Sequence, residues 1–252
     1  MFGHKEKAAL AALPPQHHAL AADRQLVVTQ NPGQWAELFA SLTTHEQTVH
    51  KHPLEPRVRG VLVPLIRALS EDVAPLGPIA IRADLRGHDA PGKVGPLHEL
   101  PSRPPVTKLE EAISWDPWLV LEATLKDRSV LDLVVVDVTR IHKVRKRSAS
   151  GKTKHKSKAK TTQRVTGKLT LPRGRGFAMP PESPVTGWLQ RTAKPKGDRS
   201  IITAQGKIPL AAMPTPEWEL KTLMLVIAEL FRWVEPPAAA TDPTASGAGG
   251  PA

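Results

Sequence analysis

Lysine recurs at every second position in Lys152, Lys154, Lys156, Lys158 and Lys160. In an extended chain alternate side chains point the same way, so the five ammoniums line one edge. Their mutual repulsion disfavours that arrangement in isolation. A phosphate backbone removes the repulsion and releases counterions as it does so. Lysine also favours point-charge contact with phosphate over bidentate reading of bases. The row lies inside a longer stretch, Val138 to Pro181, that holds fourteen basic residues and no Asp or Glu. These are Arg140, Lys143, Arg145, Lys146, Arg147, the five lysines, Arg164, Lys168, Arg173 and Arg175. Without them the chain has 21 basic residues against 24 acidic ones, so its net charge of +11 is a local device. The plain alternative is a solvated loop that only aids solubility, although protein surfaces usually mix charge signs.

Other residue groups carry weaker chemical signals. Gly151-Lys152-Thr153 resembles the end of a phosphate loop, but that motif needs a glycine where Lys146 stands and a helix afterwards. His45-Glu46 and His50 are spaced i and i+5, so on a helix the two imidazoles diverge by about 140° and do not reproduce a zinc-protease pair. His52 adds a third imidazole nearby; surface histidines are the expectation, with no metal and no cofactor. Asp84, Arg86, His88 and Asp89 cluster where a strand should end, a common place for catalytic groups. A nuclease would use such carboxylates for metal, with help from Asp132 or Asp137. Those two are five apart on one strand and face opposite sides, so they cannot both join one site. Arg173-Gly174-Arg175-Gly176-Phe177 is a short basic patch with one aromatic, equally readable as a turn beyond Pro172.

The elements that must position these groups follow from periodicity. Asn31 caps a helix opened by Pro32, with Trp35, Leu38, Phe39 and Leu42 on one face. A short helix is expected from Pro64 to Leu69. Ile79 to Leu85 alternates as a half-buried strand, and Arg86 to Pro105 reads as a proline-rich loop. Strand character resumes at Trp118, turns at Lys126 to Ser129 and continues from Val130 to Val144. Gln163 to Leu171 is the return partner, which makes a long hairpin whose tip runs from Lys146 to Thr162. That tip has no apolar side chain larger than alanine, so it is expected to be mobile. A shorter hairpin pairs Gly187–Ala193 with Arg199–Ala204. Thr215, Pro216 and Glu217 start a final helix with Leu220, Leu223, Met224, Ile227, Leu230, Phe231 and Val234 as its main apolar stripe.

The 252 residues contain 26 prolines, six tryptophans, four phenylalanines and no tyrosine, so a stacking surface for single-stranded bases is not obvious. The absence of cysteine removes disulfides, thiolate metal sites and thiol nucleophiles. No apolar run suits a signal peptide or a membrane span, and a cytoplasmic location is the expectation. The pattern predicts an α+β fold with a mainly antiparallel sheet, N-terminal helices, a long basic β-hairpin and a C-terminal packing helix. Its expected division is a flexible segment over 1–30, one α+β domain over 31–235, and a disordered tail over 236–252. The function expected is non-enzymatic binding of RNA, DNA or another polyanion. The contacts are assigned to Lys143, Arg145, Lys146, Arg147, Lys152, Lys154, Lys156, Lys158, Lys160, Arg164, Lys168, Arg173 and Arg175. Docking on an acidic protein or an anionic membrane surface is the first alternative, and a metal-dependent nuclease the second. Oligomeric state is not readable from the chain.

Overall fold

The computed structural model describes residues 2–49, 52–147, 152–178, 187–213 and 215–234. The chain is α+β, built on an antiparallel sheet of eight strands with helices on one side. Strands β1 (Gln25–Gln30), β2 (Ile79–Asp84), β3 (His98–Leu100), β4 (Val106–Thr124), β5 (Val130–Arg147), β6 (Thr153–Thr170), β7 (Leu189–Lys196) and β8 (Arg199–Pro209) lie in the order β1-β2-β4-β5-β6-β8-β7. The short β3 pairs with β4 beyond the end of β2. Helices α1 (Phe2–Ala11), α2 (Pro15–His18), α3 (Pro32–Thr43), α4 (His45–Thr48), α5 (Val63–Asp72) and α6 (Pro216–Phe231), with π-helical turns at Ala19–Asp23 and Val58–Leu62 and a 3-10 turn at Leu210–Ala212, complete the described elements.

Alternation in the strands decides which side the helices cover. Leu131, Leu133 and Val135 of β5 share a face with Val165 and Leu169 of β6, and all five are buried, as is Leu171 just beyond the strand. Leu223, Val226, Ile227 and Leu230 of α6 close over this face. The helix comes so near that a Cβ on Gly167 would stand 3.0 Å from Val226 and Leu230, so glycine there permits close packing. Trp35, Leu38, Phe39 and Leu42 of α3 join the same core, and Asn31 and Gln34 cap that helix reciprocally as a capping box. Thr215 occupies the N-cap of α6, but its side chain bonds no backbone N–H there. The opposite face of the sheet leaves Val27, Ile113, Trp115 and Val120 exposed.

Four expectations require correction. The first thirty residues are not loose, because α1 and α2 form there and β1 pairs with β2 through Leu26↔Ala83 and its neighbours. The 86–105 segment contains β3. Strand β4 begins at Val106 rather than Trp118, since a bulge at Pro117 and Trp118 breaks its alternation without ending it. The hairpin tip is also much shorter than 146–162. β5 and β6 stay paired as far as Arg147↔Thr153, because backbone hydrogen bonds and β-compatible alternation extend a strand without apolar side chains. The tail over 236–252 lies outside the described residues.

Candidate nucleic-acid interface

Strand β8 pairs with β6 only up to Thr162↔Pro209. Beyond that point β4, β5 and β6 continue as an arm, and the outer edge of β6 from Thr153 to Thr161 has no neighbouring strand among the described residues. Register sorts the basic residues. Lys154, Lys156, Lys158 and Lys160 stand opposite Lys146, Val144, His142 and Arg140, so these eight share one face of the arm. The four β6 lysines span about 20 Å along the strand. Lys143, Arg145 and Arg147 point to the other face, where Lys108, Glu110 and His155 join Lys143 and Arg145 around a groove of about 540 Å³. Lys152 is exposed just before β6 begins.

The remaining predicted contacts lie elsewhere. Lys168 shares the first face but sits far down β6, 2.6 Å from Asp132. Arg173 pairs with Asp198, and Arg175 with Asp127, at the opposite end of the hairpin. Gly174 there has φ +76°, a turn conformation, and Phe177 forms a β-bridge with Val234. Nine of the thirteen residues therefore lie on the arm, Arg164 and Lys168 lie where β6 pairs with β8, and Arg173 and Arg175 lie beyond β6.

Along the arm, like charges face each other directly. Lys146 stands opposite Lys154, and Arg140 opposite Lys160. Nearer the body Arg164 stands opposite Lys207. Glu111 of β4 takes up Arg140 at 3.2 Å and His142 at 2.7 Å, and Glu110 takes up Lys108 at 2.7 Å. No ion-pair partner is present among the described residues for Lys146, Lys154, Lys156, Lys158, Lys160, Arg164 or Lys207. Uncompensated positive charge is thus concentrated on the open edge of β6.

The same face carries aromatic surface that composition alone did not reveal. Between Asp116↔Asp137 and Leu119↔Val135, β4 has one residue more than β5. This bulge reverses the alternation, so Asp116 turns to the helix side and Trp115 to the open side. Pro117, which has no N–H to give to a ladder, sits within it. Trp115 is 49% exposed, and the Arg164 guanidinium lies 5.0 Å from its ring centroid. A cleft of about 530 Å³ runs from Trp115 past Val136, Arg164 and Thr166 to Gln205, Lys207, Gln190 and Trp188. Gly206 accommodates Trp188, because any Cβ on Gly206 would collide with that ring. The signal available in the sequence was Pro117, two residues after Trp115, a local break in a long alternating run.

Under the sheet, charged residues anchor the base of the arm. Arg57 donates to Asp137 at 2.6 Å and to Glu219 at 2.9 Å, and its guanidinium lies 4.4 Å from the Trp118 ring centroid. Gln163 donates to both carboxylates. Burial raises the Glu219 pKa, while Arg57 and Gln163 pull it down. Lys93 bridges Asp116 at 2.6 Å and Asp84 at 3.1 Å. Burial likewise raises Asp116, against the opposing pull of Lys93. Hydrogen bonds from Arg86, then Lys93, hold Asp84 well below the usual carboxylate range. The backbone carbonyl of His88 accepts from Ser114 at 2.5 Å. Asp132 and Asp137 do face opposite sides.

His45 is buried against His17, and His50 lies outside the described residues. Gly151 lies outside them too, and Lys152 leads into a strand rather than a helix. No helix among the described residues is long and apolar enough to cross a membrane. No family model, no curated protein and no solved structure matches the chain.

Proposed function

We propose that the protein binds nucleic acid through the basic face of the β4–β6 arm, with phosphate contacts from Lys146, Lys154, Lys156, Lys158 and Lys160. The observation that carries this reading is the direct opposition of cations across the strands, Lys146 to Lys154 and Arg140 to Lys160. Like charges in that position destabilise a sheet, and a bound polyanion converts the penalty into attraction. Edge protection by lysine explains one or two charges on β6. It does not explain cations facing cations from β5.

The test is a binding titration across salt concentrations. With about five phosphates engaged, log K falls against log salt with a slope of about −3.5 on single strands and about −4.5 on duplex. Replacing Lys154, Lys156, Lys158 and Lys160 with glutamine is expected to weaken binding by about tenfold or more at low salt and to bring the slope close to −1. Unchanged affinity and slope in this variant overturn the reading.

A further inference from the structure

We propose that the cleft beside Trp115 receives unpaired bases, so that the nucleic acid bound is single-stranded. This rests on the arm reading above and adds the class of ligand to it. The open face is continuous, because Lys160 and Arg164 lie on the same side of β6, four residues or about 13 Å apart. A strand whose phosphates follow the lysines therefore passes directly over the cleft. There it meets Trp115, whose ring is half exposed. An aromatic face accepts any base by stacking, and the guanidinium of Arg164 offers a second planar surface.

The rest of the lining suits a nucleotide. Gln190 and Gln205 stand opposite each other across β7 and β8, and each amide carries donors and an acceptor for base edges. Arg164 and Lys207 are a further pair of opposed cations, placed to take phosphates on either side of a seated base. From β4 to β7 the cleft crosses four strand spacings, about 19 Å, which is enough for more than one base. A duplex keeps its bases stacked on one another, with only their edges exposed in the grooves, so it cannot lay a base flat on Trp115.

Fluorescence anisotropy with labelled oligothymidylate, oligouridylate and a duplex of equal length tests this. Wild type is expected to bind at least one of the single strands ten times more tightly than the duplex. Trp115→Ala is expected to lose about five- to a hundred-fold of single-strand affinity with its salt slope unchanged, because it removes stacking and no phosphate contact. Trp115→Phe is expected to retain most of it. Because Trp115 packs beside Arg164, wild type is also cross-linked by ultraviolet light to oligothymidylate. The modified peptide is expected to contain Trp115 or Trp188. Equal affinity for duplex and single strand, wild-type affinity in Trp115→Ala, or cross-links confined to residues 140–160 each overturn the base cleft. If the four-lysine variant still loses binding in that case, the arm reading stands. If it binds like wild type, the arm reading falls.

Discussion

Hydrogen bonds link the buried His17 and His45 to each other and to their surroundings. The carbonyl of His52 only accepts, so Nε2 of His45, 2.7 Å away, carries a proton. With Nδ1 of His45 accepting, His17 donates from Nε2 at 2.7 Å. That leaves Nδ1 of His17 to accept from the Ser41 hydroxyl at 2.6 Å. Protonating His17 turns the Ser41 hydroxyl from donor to acceptor and places a charge in a buried site. Burial first, and the charge of His45 second, lower its pKa from 6.5 to about 4. Between those values the unfolded chain holds a proton that the folded chain refuses, so stability declines as pH falls through that window. The full effect is about 3 kcal/mol. The raised carboxylates Glu55, Asp116 and Glu219 act in the opposite sense, gaining protons in the fold as pH falls. The diagnostic quantity is thus the difference between wild type and His17→Gln in urea unfolding at pH 7 and pH 4.5. Wild type is expected to lose more stability than the variant; equal losses rule out His17 as the source.

Among the elements, the arm is separable from the core. Its buried side chains, Ala112, Ser114 and Thr139, lie at its base, and Thr139 and Thr161 are hydrogen-bonded there at 2.9 Å. Lys143 and Ser157 are directly opposite and can be joined by Asn-Gly, a favoured two-residue hairpin loop. Replacing residues 144–156 in this way is expected to shift thermal stability by about 1 kcal/mol or less while weakening nucleic-acid binding and reducing its salt slope, since Lys146, Lys154 and Lys156 are lost. A large loss of stability would make the outer arm a structural part of the fold. This cut stops short of Thr162, because Thr162 pairs with Pro209 and belongs to the body.

The strands with an apolar face were legible in the sequence. Ile79 to Leu85 and Val130 to Val144 alternate because one side meets helices, and the cap residues around α3 follow from local chemistry. Lys154 to Lys160 alternates just as strictly, yet the lack of apolar residues suggested a loop, since these residues are exposed and join no core. The lysine row was readable because strand geometry alone fixes which residues share a face. Trp115 was not, because its side of the sheet depends on one inserted residue in β4 and on the partner strand that defines the bulge. Trp188 and Gln205 meet Trp115 only through sheet order, which no local pattern encodes.

At the scale of the whole molecule, a body of nearly balanced charge carries its positive surplus on one protruding arm. The helices occupy one side of the sheet, and the lysine row and the Trp115 cleft share the other. Such a molecule has a large electric asymmetry, so under the proposed function a polyanion is expected to be drawn in arm first and to reach the cleft second.

The unpaired edge of β6 has a colloidal consequence. Its free backbone N–H and C=O groups form a template on which another chain's edge can dock, and the lysines keep identical copies apart by repulsion. A polyanion that neutralises them also removes that protection. Mixtures at charge equivalence are therefore expected to become turbid, and to clear again when excess polyanion reverses the sign of the arm. Light scattering across a titration measures this. Clear solution throughout would mean that the strand edges stay apart without their charge.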